Sequence, residues 1–175
     1  MSDETLVLRE PDVNDGARLH GFVRALHPLA ENSVYCNILQ CTHFSETTVV
    51  AERGGQIIGF VSGYLHPKKA NTYFLWQVGV HAAGRGVGLP LRMIQAVLAR
   101  PVCAHVTTLE ATVTASNSAS QGLFRRLAQA EGAQCHVTPD YLEAAHFGPD
   151  NVYPEELFTV TPLSTPGRGQ ASDGA

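Results

Sequence analysis

Apolar positions along this chain fall into two kinds of segment, short runs that alternate or are continuous and longer runs with a period near 3.6, and their order predicts the architecture. Leu6-Val7-Leu8 reads as a first strand. Glu10-Pro11-Asp12 supplies a turn and a helix N-cap, after which Leu19, Phe22, Val23 and Leu26 follow at helical spacing until Pro28 breaks the run. A shorter helix is expected from about Ser33, carried by Tyr35, Ile38, Leu39 and Thr42. Val49-Val50-Ala51-Glu52, the turn Arg53-Gly54-Gly55-Gln56 and the run from Ile57 to Tyr64 form a hairpin. Tyr73 to Val80 is nearly continuous in apolar and aromatic residues, as expected for a central strand covered on both faces. A helix then carries Leu89, Met93, Ile94, Val97 and Leu98, a strand runs from Thr107 to Val113, and Asn117 opens a helix through Leu123, Phe124, Leu127 and Ala128 to Gly132. Two more strands are expected, near Cys135 to Thr138 and Leu157 to Val160. The order β-α-α-β-β-β-α-β-α-β-β predicts one α/β domain of three layers, α/β/α, over residues 1–163. Residues 164–175 carry no apolar period and are expected to be a disordered tail.

The junction after the central strand carries the first chemistry. Arg85-Gly86-Val87-Gly88 joins a strand end to an amphipathic helix, a place where glycines let the backbone approach a ligand and the free N–H groups of a new helix face an anion. The segment reads as a phosphate cradle, although a strand-turn-helix junction also uses glycines for packing alone. A dinucleotide-binding turn fits worse. Gly84-Arg85-Gly86 and Gly86-Val87-Gly88 both lack the third glycine that pattern needs, and two or three strands precede the loop with no helix between them.

Composition narrows the class of partner. The chain has 175 residues, 44% of them hydrophobic, enough for one well-packed core. A net charge of −4 with scattered Lys and Arg gives no electrostatic footprint for nucleic acid. No apolar run is long enough to span a membrane, and the acidic Met-Ser-Asp-Glu-Thr start is unlike an export signal, so a cytoplasmic protein without membrane partners is expected. Cys36, Cys41, Cys103 and Cys135 form no Cys-x-x-Cys pair and read as buried free thiols. His43, His66, His81 and His136 stand singly, and no metal site is expected.

The cradle and the elements around it resemble the GCN5-related N-acetyltransferases, whose acyl-CoA loop reads Gln/Arg-x-x-Gly-x-Gly/Ala. Here it reads Arg85-Gly86-Val87-Gly88-Leu89-Pro90, with Pro90 where the family has Gly or Ala. The resemblance implies a mixed, mostly antiparallel sheet with a splayed central strand, acetyl-CoA as co-substrate, and cofactor contacts from Val80, Arg85, Gly86, Val87, Gly88 and Leu89. It also implies a contact from Asn117 to the pantetheine arm, though an Asn before a helix serves equally as a simple cap. Phe124 stands where the family carries the Tyr invoked to protonate the leaving thiolate, so another group or water must do so. Longer blocks, among them Gly59-Phe60-Val61-Ser62-Gly63-Tyr64 and Phe74-Leu75-Trp76-Gln77-Val78, resemble the diaminobutyrate N-acetyltransferases of ectoine biosynthesis. That narrower resemblance runs from about residue 6 to residue 162. It implies acetyl transfer to the γ-amine of L-2,4-diaminobutyrate and a homodimer, with the strands after Gly132 in contact.

Departures fall on the acceptor side. The related pattern Leu-Asp-x-Asn-Ser appears here as Leu29-Ala30-Glu31-Asn32-Ser33, and the related His-x-x-Glu appears as Val152-Tyr153-Pro154-Glu155. Either Glu31 replaces the lost carboxylate or the recognised amine differs. An alkyl amine is protonated at neutral pH and must lose a proton before attacking a thioester. The resemblance points to Glu155, in a Pro-rich loop, as the base, whereas taken alone Glu155-Glu156 reads as a solvated pair. Trp76 is either core or an aromatic face for the cationic substrate. Tyr35 is either half-buried core or a substrate hydrogen-bond partner, and Asn32 falls in the same acceptor-lining segment. The Val78 N–H, on the splayed strand, is the expected donor to the thioester oxygen. Cys36 and Cys41 have no evident base, which favours direct attack over a covalent acetyl-enzyme. Two alternatives stay open: an acetyltransferase for another small diamine or amino acid, and an acyl-CoA-binding module without turnover.

Overall fold

A computed structural model describes residues 5–151 and 153–164. The described residues form β1 (Val7–Arg9), α1 (Asp15–Ala25), α2 (Val34–Thr42), β2 (Val49–Arg53), β3 (Gln56–Leu65), β4 (Thr72–Val80), α3 (Leu89–Leu98), β5 (Thr108–Thr114), α4 (Ser118–Glu131), β6 (Gln134–Leu142) and β7 (Glu155–Thr161), with short 3-10 turns between some of them. The element order is the one expected from the sequence pattern. The expected tail from residue 165 onward, and Val152, lie outside the described residues.

The chain divides into two compact units, one made of the chain up to Tyr64 with Leu75–Cys103, the other of Leu65–Phe74 with the chain from Ala104. Hydrogen bonds order the strands β1-β2-β3-β4-β5-β7-β6. Strand β4 contributes to both units: its parallel ladder with β5 joins Thr72–Phe74 to Thr108–Glu110 in the second, and Leu75–Val80 lies beyond that ladder in the first. The β1-β2, β2-β3, β5-β7 and β6-β7 pairs are antiparallel, so with the parallel β4-β5 ladder the sheet is mixed and mostly antiparallel.

In the first unit the β2-β3 hairpin turns on Gly54 and Gly55, both with positive φ, as a two-residue loop of matching twist requires. Helices α1 and α2 approach closely because Gly16 has no side chain; a Cβ there would lie 2.5 Å from Ile38 Cγ1. Leu19, Val23, Cys41, Val50 and Phe60 form a buried cluster, with Phe22 edge-on to Phe60. Burying each of the larger apolar side chains stabilises the fold by about 1.5–3 kcal/mol. The start of α1 departs from expectation. Asp12 is not the cap; the helix begins at Asp15 after Asn14. Asp12 Oδ1 accepts from the Asn14 N–H, and the Asp15 carboxylate accepts from the Asp12 N–H, so the turn satisfies itself before the helix begins.

Asp15 is drawn inward by cations. Its side chain is only 2% exposed, and it accepts two hydrogen bonds from Arg9, at 2.7 and 2.9 Å, and one from Arg18 at 2.7 Å. Arg9 also donates to Glu52 on β2 at 2.6 Å. The Arg9 guanidinium holds the Asp15 carboxyl below the ordinary aspartate range, against the opposing effect of burial.

In the second unit, Asn117 caps α4 through its Oδ1, which accepts from the Ser120 N–H, and Gly132 ends the helix in the left-handed conformation. Phe124 packs against Phe158 of β7, and Lys69 donates to both oxygens of the buried Glu110 at 2.9 Å. Strand β6 is the last of the sheet and is exposed at every position except Cys135 and Leu142, which are half-buried. Its register against β7 steps from Thr138↔Leu157 to Leu142↔Glu155, leaving Pro139, Asp140 and Tyr141 in a bulge, with Asp140 at φ 49°.

Replacing Asp15 by Asn leaves Arg9 and Arg18 facing a neutral group, and a loss of about 3 kcal/mol is expected in urea unfolding at neutral pH. Because the folded carboxyl is the stronger acid, its contribution is complete above about pH 4 and is lost as the pH falls through the depressed folded value. The gap between wild type and Asp15→Asn therefore narrows in acid.

Candidate functional site

The turn into α3 has the geometry of an anion cradle. Gly86 and Gly88 take φ of 81° and 67°, and a Cβ on either would meet nothing within 4 Å, so the backbone conformation and not crowding selects glycine at both. Gly88 is the residue before α3 and provides no side-chain cap, and Pro90 lies in the first turn, where its missing N–H costs the helix nothing. Arg85, Gly86, Val87 and Gly88 are exposed, whereas Leu89, expected among the cofactor contacts, is fully buried as a whole residue and is corrected to the core, so the open part of the turn is Arg85 to Gly88. Gly84 differs from its neighbours: a Cβ there would lie 2.9 Å from both Leu89 Cδ2 and Val80 Cγ1. Its role is to let the turn sit against the strand end and the helix, with Val80 half-buried beneath.

Strand β4 leads into this cradle and presents Trp76, Gln77 and Val78. Trp76 is 40% exposed and meets Tyr64 of β3 edge-on at 6.3 Å, and Phe44 is tilted against the same Tyr64 ring, also at 6.3 Å. The core reading of Trp76 is thus corrected: its ring lies on a partly open aromatic row. The expectation that β4 is covered on both faces fails at the same residue. Val78 is half-buried. The segment between α1 and α2 is tied to β4 by two hydrogen bonds, Asn32 Nδ2 to Gln77 Oε1 and Gln77 Nε2 to the Ala30 carbonyl, each 2.8 Å. Leu26 and Leu29 of that segment crowd the space over Gly79, where a Cβ would lie 2.9 Å from Leu26 Cδ1 and 3.1 Å from Leu29 Cδ2. Tyr35, in the first turn of α2, is 66% exposed, which removes the half-buried alternative. Glu31 is exposed and lies 3.7 Å from Arg24 Nε in a surface ion pair.

The second unit holds the other expected residues. Glu155 is half-buried and opens β7 instead of lying in the loop before it, opposite Thr114 on one side and Leu142 on the other. The β6 bulge comes immediately beside that position. The side chain of Asn117 uses its oxygen as the α4 cap and keeps its amide N–H groups for other partners. Phe124 is 1% exposed, and a ring that buried offers no surface to a cofactor. Its expected place among the cofactor contacts is corrected to the core, against Phe158.

The family model described as Acetyltransferase (GNAT) family matches residues 18–128. The chain belongs to the GNAT acetyltransferases. It is 41% identical to the L-2,4-diaminobutyric acid acetyltransferase of Methylotuvimicrobium alcaliphilum, covering 90% of this chain and 91% of the relative. It is 43% identical to the enzyme of the same name from Vibrio cholerae, covering 81% and 82%. The solved structure of the diaminobutyrate acetyltransferase EctA from Paenibacillus lautus, in complex with L-2,4-diaminobutyric acid and coenzyme A, is similar with a TM-score of 0.84 and 33% identity, covering 91% of this chain and 96% of that one.

As a GNAT acetyltransferase the chain is read as an acyl-CoA-dependent enzyme, and its thiols bear on the route of transfer. Burial pushes the Cys41 thiol up to about 12 and the Cys103 thiol up to about 11, and it raises Cys36 and Cys135 as well. None of the four is poised as a thiolate nucleophile. Cys36 and Cys135 are half-buried, which corrects the expectation that all four are buried. Among the described residues no helix is long and apolar enough to cross a membrane, and no group of three or more His, Cys, Asp and Glu is placed to hold a metal. Sequence reasoning named Trp76 and Val78 but passed over Gln77 between them. The available signal was a polar residue inside an otherwise apolar strand, which needs a partner.

The two kinds of glycine separate by experiment. Gly84→Ala forces the side chains of Leu89 and Val80 apart and is expected to destabilise the fold by about 2 kcal/mol. Gly88→Ala meets no neighbour and costs about 1 kcal/mol, through its left-handed backbone alone. Urea unfolding of both variants gives the ratio.

Proposed function

We propose that the protein transfers the acetyl group of acetyl-CoA to the γ-amine of L-2,4-diaminobutyrate, the acetylation step of ectoine biosynthesis. The observation that carries this reading is the extent of the match: relatives named for that activity align over nearly the whole chain, and a structure holding both diaminobutyrate and coenzyme A shares its fold. In this reading residues 1–163 act as one catalytic domain in the cytoplasm.

The main-chain amides from Gly86 to Gly88, with Arg85 beside them, hold the pyrophosphate of the acyl-CoA. Pro90 leaves that cradle one donor short. The Asn117 amide group reaches the pantetheine arm while its oxygen caps α4. The Val78 N–H, on the part of β4 beyond the β5 ladder, donates to the thioester oxygen as it gains charge. Asn32 and Tyr35 receive the acceptor, and the Trp76 face lies along its cationic chain, a contact worth about 0.5–2 kcal/mol. Glu31, paired with Arg24, supplies a second carboxylate to the same segment. Glu155 accepts the proton that the ammonium must lose. The freed amine nitrogen attacks the thioester carbonyl carbon, the C–S bond breaks, and the departing thiolate takes a proton from water, since Phe124 has no hydroxyl to give. A homodimer belongs to the same reading. It is supported by β6, an edge strand left open on both faces, with Val137 and Tyr141 exposed along it.

Ala30, which provides no carboxylate, favours a second reading in which another small diamine is the acceptor. A panel of amines decides between them: kcat/KM for diaminobutyrate at least about tenfold above that for ornithine is expected, and parity would support the second reading. Glu155→Gln should lower kcat about a hundredfold with little change in the KM for acetyl-CoA. Pro90→Ala, which restores an N–H in the first turn of α3, should tighten coenzyme A binding by about threefold to tenfold in a calorimetric titration.

A further inference from the structure

We infer that Gln77 is a positioning residue that sets which atom of Asn32 faces the acceptor amine. The inference rests on the acetyltransferase reading above and adds a residue to it. A main-chain carbonyl can only accept hydrogen bonds, so the Ala30 oxygen requires the Gln77 amide group to point at it; the bond is 2.8 Å from Nε2. With its N–H groups committed there, Gln77 turns Oε1 toward Asn32, and an oxygen can face only the donor end of that residue, Nδ2, again at 2.8 Å. The chain of dependence runs from a carbonyl through two carboxamides. Its end product is an Asn32 Oδ1 with no hydrogen-bond partner among the described residues.

Such an oxygen is an uncharged acceptor, suited to an ammonium or amine N–H. Without Gln77 the Asn32 carboxamide is free to turn over and present its donors instead, which repel the same group. The arrangement also accounts for how this chain tolerates Ala30: the main-chain oxygen of that residue is what the clasp uses, and it is present whatever the side chain. Leu26 and Leu29, crowded over Gly79 two residues along β4, hold the segment at the height where both bonds form.

The test is a double-mutant cycle on the intact enzyme, read as KM for each substrate. Gln77→Leu removes both bonds, and Gln77→Glu keeps the size while setting an oxygen against the Ala30 carbonyl, so the second variant covers a failure of the first to fold. Each is expected to raise the diaminobutyrate KM about tenfold and to leave the acetyl-CoA KM within about twofold of wild type. Asn32→Ala should do the same, and Asn32→Ala with Gln77→Leu should be no worse than Asn32→Ala alone, because Gln77 acts through Asn32. A product of the two single effects in the double variant, an unchanged diaminobutyrate KM in both Gln77 variants, or an equal rise in both KM values overturns the inference. Turnover of diaminobutyrate by the wild-type protein checks the acceptor separately. If another diamine proves to be the preferred acceptor, the same cycle run with that amine tests the clasp; if no amine is acetylated, both readings fall.

Discussion

Helix α3 begins at a residue that cannot cap it, and the cradle depends on that fact. A helix leaves its first amides without intrahelical partners, and most N-termini satisfy one of them with a Ser, Thr, Asp or Asn side chain. Gly88 gives none, and it and Gly86 two residues earlier both take a left-handed backbone and lie exposed at the start of the helix. The turn holds its shape from below. Gly84 brings it against Val80 and Leu89, and Leu89, Met93 and Ile94 are fully buried in the helix that follows. An anion is then the natural partner for the open end, and the rigid side of α3 keeps the cost of ordering the loop out of the binding step.

Much of the fold was legible because its elements are long or carry strong local signals. The Gly54-Gly55 hairpin, the helix start near Ser33, the Asn117 cap and the Gly132 stop each follow from a residue type with a favoured backbone role, and each stands where the pattern placed it. Asp12 was misread because two acids three residues apart compete for the same turn, and Asp15 wins through Arg9 and Arg18, contacts that no local rule contains. The glycine loop was legible as a motif. Its internal division, Gly84 for packing and Gly86 and Gly88 for conformation, was not, since it depends on what lies next to each Cβ position.

Burial was the harder inference on the acceptor side. Trp76 and Tyr35 are large and apolar enough to be assigned to a core, yet both lie substantially open, while Phe124, which the family resemblance sets beside the cofactor, is sealed against Phe158. Hydrophobicity says that such rings gain by leaving water; it does not say which of them a given fold has room for. Gln77 escaped notice for the opposite reason. Flanked by apolar residues it looks like an interruption, and its meaning appears only when the segment 45 positions upstream is found bonded to it.

The bulge at Pro139, Asp140 and Tyr141 has an outcome for the outer rim of the sheet. A long bare strand invites uncontrolled addition of further chains, and proteins commonly interrupt such rims with proline, charge or an extra residue. Here all three occur together, so only the stretch from Gln134 to Thr138 keeps an unbroken row of main-chain donors and acceptors. Any copy that docks by strand addition has a short template to follow, too short for a sliding register, and growth into a continuous fibre is blocked at the kink.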